Sequence, residues 1–139
     1  GSPRPAGGQR RREVPVFVVD VHHIVLDAIA AVIAVTPGLT LAGTASTRSD
    51  VLSRIAQLSV VPVLLVDVDL GEGDGVEIAR RYVDEHGGAV VLMSTRNETD
   101  LPAEWWRDGA TPFLRKDEIG SGRLEAALRS ADRSAWGAR

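Results

Sequence analysis

The chain predicts an α/β fold, a parallel sheet covered by helices on both faces. Two observations point there. Apolar runs of four to seven residues alternate five times with helix-length segments, the pattern of βα units wound right-handedly onto one sheet. The runs are hydrophobic throughout rather than alternating, as strands buried on both faces are. A third observation concerns function: several of these runs end abruptly on a polar or charged residue.

The elements follow in order. Gly1 to Glu13 is rich in Gly, Pro and Arg without periodicity and predicts a disordered leader. Val14 to Val19 is a strand ending on Asp20. Ile24 to Val35 is a helix apolar almost all round, with one charge at Asp27, stopped by Thr36-Pro37-Gly38. Leu39 to Ala45 predicts a second strand and Ser49 to Leu58 a helix. Val60 to Val66 is a third strand, with Pro62 near its beginning where a missing N–H is tolerable. It delivers Asp67 to a turn rich in Gly and Asp. Val76 to His86 predicts a helix and Ala89 to Met93 a strand ending on Ser94-Thr95. Pro102 to Asp108 reads as a short helix, Pro112 to Arg115 as a brief strand ending on Lys116, and Leu124 to Ala131 as the last helix. Asp132 to Arg139 reads as a tail or the beginning of a linker.

Composition excludes several classes. At 139 residues, 44% hydrophobic and 25% charged, the chain suits one soluble domain with its own core. A net charge of −3 gives no footprint for nucleic acid or membrane. Without cysteine there is no disulfide or thiolate chemistry, which suits a cytoplasmic home. The longest apolar stretch is too short to span a bilayer. Of sixteen basic residues only Lys116 is a lysine, so the position asks for a reason.

In a parallel sheet the strand tips share one edge, so Asp20, Asp67 with Asp69, Ser94 and Lys116 can converge there. Paired carboxylates attract a hard divalent cation such as Mg2+. A lysine and a hydroxyl can bind phosphoryl oxygens. An aspartate nucleophile in that company describes aspartyl-phosphate chemistry. His22-His23 beside Asp20 invite a metal reading, but adjacent histidines need further ligands to hold one ion. Residues opening the helix are the simpler account.

The pieces Val16-Phe17-Val18-Val19-Asp20, Leu65-Val66-Asp67-Val68-Asp69-Leu70 with Asp74-Gly75, Val91-Leu92-Met93-Ser94, and Gly109 to Asp117 together resemble the receiver domain of bacterial two-component response regulators, over roughly Val14 to Ala131. The last run looks most like receivers joined to a NarL/LuxR-type helix-turn-helix. The resemblance implies a flavodoxin-like (βα)5 three-layer sandwich with strand order 2-1-3-4-5. It implies Asp67 as phosphoacceptor, Asp20 as the first of an acidic pair, Ser94 and Phe113 as switch residues, and Lys116 as the phosphoryl-binding lysine. Mg2+ is the implied cofactor and a sensor histidine kinase the implied partner. The apolar Ile24–Val35 helix is a candidate surface for docking that kinase, for a homodimer or for seating an output domain. DNA would be met only through an output domain beyond Arg139.

Two positions and one segment, Arg96 to Asp108, depart from the family pattern. Val21 stands where a second acid is expected, leaving Asp69 as the acid that can compensate, at a position that normally offers a backbone carbonyl. Gly71 replaces a proline after the phosphoacceptor. Trp105-Trp106 sit in a short, rebuilt fourth helix. These predict an atypical receiver with weakened Mg2+ binding and impaired or replaced phosphorylation. A phosphorylation-independent pseudo-receiver controlled by ligand or dimerisation is the alternative. A haloacid-dehalogenase-type aspartyl-phosphate hydrolase using Asp67-Val68-Asp69 is the third reading, opposed by the motif's place on the third strand and by the lack of room for a cap domain.

Overall fold

A computed structural model describes residues 13–70, 74–102 and 112–138. Among the described residues, the strands and α-helices run in the order β1 (Val14–Val19), α1 (His23–Val35), β2 (Leu39–Ala45), α2 (Val51–Ala56), β3 (Val63–Asp67), α3 (Asp74–His86), β4 (Val90–Ser94), β5 (Phe113–Arg115) and α4 (Arg123–Ala138). All strands pair in parallel, in the expected order β2-β1-β3-β4-β5.

The period of two along each strand divides the core between the sheet's faces. Val14, Val16 and Val18 of β1, with Val63 and Leu65 of β3, pack against Leu26, Ile29 and Ile33 of α1 and Leu124 and Leu128 of α4. Phe17, Val19, Leu64 and Val66 face the other way, toward Val51 and Ile55 of α2 and Val76, Ala79 and Tyr82 of α3. Tyr82 is fully buried and its hydroxyl donates to the Pro62 carbonyl, so its one polar atom is matched.

The β1–β2 ladder slips by one residue, passing from Val16↔Leu41 to Phe17↔Gly43. At the slip the Phe17 ring lies over Gly43, where a Cβ would stand 2.7 Å from the ring edge. The Arg54 guanidinium covers the same ring at 5.3 Å and donates to the Thr44 carbonyl.

Several boundaries differ from the sequence reading, most of them by one or two residues. β3 begins at Val63, not Val60, because Pro62 has no N–H for the ladder and Val60 and Val61 remain about half exposed. α2 is shorter, beginning at Val51 and ending at Ala56. Asp132 to Ala138, expected as a tail, continue α4 instead, with Asp132 itself buried. The leader to Arg12, Gly71, and most of the expected Pro102–Asp108 helix, including Trp105-Trp106, lie outside the described residues.

Candidate functional site

Register brings the strand tips together. Val19 pairs with Val66, so Asp20 and Asp67 emerge side by side from β1 and β3. Asp67 pairs with Met93 and Ser94 with Arg115, which places Ser94 and then Lys116 along the same edge. Asp20 and Asp67 are both buried.

Each carboxylate is divided between two tasks. Oδ1 of Asp67 accepts the backbone N–H of Asp69 at 2.9 Å, and Oδ1 of Asp20 accepts that of His22 at 2.8 Å. These are the local turns that Asp side chains favour where a strand ends. Both Oδ2 atoms turn toward Lys116, whose Nζ lies 3.0 Å from Asp67 and 2.7 Å from Asp20. The contact to Asp67 is a hydrogen bond. Oδ2 of Asp20 is buried without an aligned hydrogen bond, so its tie to Lys116 is one of charge.

Two carboxylates therefore share one ammonium, in a pocket where burial is the largest single influence on Asp67 and Lys116. Burial pushes the Asp67 carboxyl above the ordinary carboxylate value, against the Asp69 N–H and Lys116, and the Asp20 charge adds to the rise. Burial also works against the charged form of Lys116. The attraction of the Asp20 and Asp67 carboxylates, with the hydrogen bond to Asp67, outweighs that, and its pKa is raised.

The other expected residues stand as follows. Ser94 is fully buried; its Oγ donates to Oδ2 of Asp69 at 3.3 Å and accepts the Arg96 N–H at 3.0 Å. Asp69, expected as an acid of the pocket, turns aside: its Oδ1 accepts from Arg96 at 2.6 Å. Phe113 opens β5, half-buried against the α2–α3 face of the core. Val21 points outward, 42% exposed, and leaves the second acidic position without an oxygen.

Two participants went unassigned at the level of sequence. Arg96 falls in an unpatterned stretch, and its one hint is a cation two residues after Ser94. His22 does open the helix as expected, as the N-cap of α1. Its ring also enters the site, with Nδ1 3.1 Å from Oδ1 of Asp20. An open apolar cleft beside Lys116, lined by His22, His23, Ile24, Val25 and Thr95, adjoins the pocket.

Residues 16–129 match the family model for the response regulator receiver domain. This chain belongs to that family. Among curated relatives, a protein-glutamate methylesterase/protein-glutamine glutaminase of Rhodospirillum rubrum is 28% identical over 134 residues, which cover 92% of this chain and 37% of that protein. The transcriptional regulatory protein YdfI of Bacillus subtilis is 28% identical over 117 residues, covering 82% of this chain and 54% of its own. The receiver domain here thus spans between about a third and a half of these relatives. A signal receiver domain of an HD domain-containing protein from Pseudomonas fluorescens superposes with a TM-score of 0.76 at 21% identity, covering 93% of each chain, a likeness of fold.

Receivers of this family imply a divalent cation, and the residues present fit one. Asp20, His22 and Asp67 each offer a ligand atom, all within 4.8 Å of one another. Among the described residues, no aligned donor meets the buried Oδ2 of Asp20. Asp69 stands outside this group.

Proposed function

We propose that this receiver is the switch of a response regulator, acting when a phosphoryl group is placed on Asp67. The supporting observation is the Lys116 ammonium held against Oδ2 of both Asp67 and Asp20 at the tips of β3 and β1. A carboxylate oxygen of Asp67 attacks the phosphorus of the donor. The bond from phosphorus to the donor's leaving group breaks, the leaving group departs with its electron pair, and an acyl phosphate remains. Lys116 is placed to stabilise charge on the transferring oxygens. Asp20 and Asp67 would hold a divalent cation, Mg2+ in the family's usual form, which neutralises the gathered negative charge when bound. Ser94 would leave Asp69 and donate to the new phosphoryl group, repacking the edge near Phe113.

The donor that fits is a sensor histidine kinase approaching the cleft beside Lys116, in the cytoplasm. The output is a helix-turn-helix domain following residue 139, through which the whole protein meets DNA in transcription regulation. The Gly109–Asp117 run and the likeness to YdfI support this choice. The relative named for methylesterase activity makes a catalytic output domain the competing possibility. The receiver itself acts as a switch rather than an enzyme. A hydrolase would need Asp69 free as its acid–base, and both oxygens of Asp69 are engaged by Arg96 and Ser94.

A second reading, a pseudo-receiver without phosphotransfer, is favoured by Val21 and by the ammonium already spanning the two carboxylates. One experiment separates the two. Acetyl phosphate with Mg2+ should add a single phosphoryl mass to the intact protein, releasing acetate, and Asp67→Asn should abolish it. A folded protein that gains no mass establishes the pseudo-receiver.

A further inference from the structure

We propose that His22 is a metal ligand in this pocket, so that the site favours a nitrogen-accepting transition-metal dication such as Co2+ or Zn2+ over Mg2+. The inference rests on reading the pocket as a divalent-cation site, and adds a ligand that the family pattern does not include.

Three observations converge. First, the second acidic position offers no side-chain oxygen, because it is the valine Val21, and Asp69 is engaged by Arg96 and Ser94. Two carboxylates with Lys116 between them leave about one net negative charge. Mg2+ draws its affinity from anionic oxygens and parts reluctantly with water, so this pocket gives it little. Second, the imidazole, although its side chain is 66% exposed, lies against the site. The backbone N–H of His22 is tied to Oδ1 of Asp20, and its Nδ1 lies 3.1 Å from the same oxygen. Third, the fully buried Oδ2 of Asp20 meets the Lys116 ammonium at 2.7 Å but has no aligned hydrogen bond among the described residues, which leaves it a lone pair for a cation.

An imidazole nitrogen adds strongly to the affinity for Co2+ and Zn2+ and little to that for Mg2+. Where the family sets a second carboxylate, this chain thus sets a softer donor one residue further on. Losing an anion weakens the hard ion; gaining a nitrogen restores affinity for the borderline ones.

The test is calorimetric titration of the folded chain with MgCl2 and with CoCl2 at one fixed pH, with the visible d–d spectrum reporting nitrogen ligation of cobalt. The wild-type chain should bind Co2+ at least tenfold more tightly than Mg2+. His22→Ala and His22→Gln should weaken Co2+ tenfold or more while changing Mg2+ less than threefold; His23→Ala should change neither. Absence of Co2+ binding, a His22→Ala chain that binds Co2+ as before, or equal losses for both ions would overturn the assignment. The phosphorylation assay keeps the two readings apart. A Mg2+-dependent adduct alongside His22-independent Co2+ binding defeats this inference alone. His22-dependent Co2+ binding without any adduct upholds it and defeats Asp67 as phosphoacceptor.

Discussion

Asp67 holds its proton more tightly in the folded chain than it would in water, first because burial penalises its charge. A carboxyl raised by folding subtracts from stability wherever it is ionised. Asp67→Asn should therefore stabilise the chain at neutral pH. That gain should shrink as the pH falls through the raised value and vanish below the ordinary 3.8. Lys116 behaves oppositely. Its raised pKa means that its stabilising charge is complete below 10.5 and is lost as the pH climbs through the raised value. Urea unfolding of wild type and Asp67→Asn from pH 3.5 to 7, and of wild type and Lys116→Met from pH 9 to 12, would check both signs. A neutral-pH loss of stability in Asp67→Asn would refute the first. At this scale Asp20, Asp67, Ser94 and Lys116 were legible, because each ends an apolar run that had to be a buried strand. The Asp69–Arg96 pair was not, since a contact between exposed side chains from two loops leaves no periodicity in either.

The strands show what an element owes to its neighbours. β1 and β2 took their expected bounds, since apolar runs closed by turn residues leave little freedom. β3 did not: Val60 and Val61 have strand character, but pairing begins only after Pro62, where β1 offers Val16 as partner. The slip between β1 and β2 was equally hidden, because skipping one residue changes no composition. It makes Gly43 a packing requirement against Phe17, a fully buried ring with nowhere to retreat. Gly43→Ala should cost about 1–3 kcal/mol through overpacking, measurable by chemical denaturation, whereas Ala at exposed Gly120, which meets nothing within 4 Å, should not.

For the molecule as a whole, α1 and α4 share one layer and α2 and α3 the other. The order of the strands was expected from the family resemblance; the βα alternation alone predicted only a parallel sheet covered on both sides. The extent of α4 was not legible, because the charged residues from Asp132 onward look like a solvated tail until the helix is seen to continue. The layers predict a sharp contrast on one side of the sheet. Leu128→Ala, in the sealed seam under α4, should cost about 2–5 kcal/mol. Val35→Ala, on the outer face of α1 at 79% exposure, should stay within about 0.5 kcal/mol in the isolated chain. Comparable losses at the two sites would mean that α1 is covered in solution.

Lys116 reaches past β4 to meet Asp67, 49 positions earlier in the chain, and then Asp20 on the strand beyond. Contacts that close such long loops form late, once the intervening strands have docked. The ammonium therefore works as a completeness check on folding. A nascent or partly opened chain presents Asp67 without its counter-charge, and only a chain whose sheet has closed across to β5 sets the Lys116 ammonium against both carboxylates.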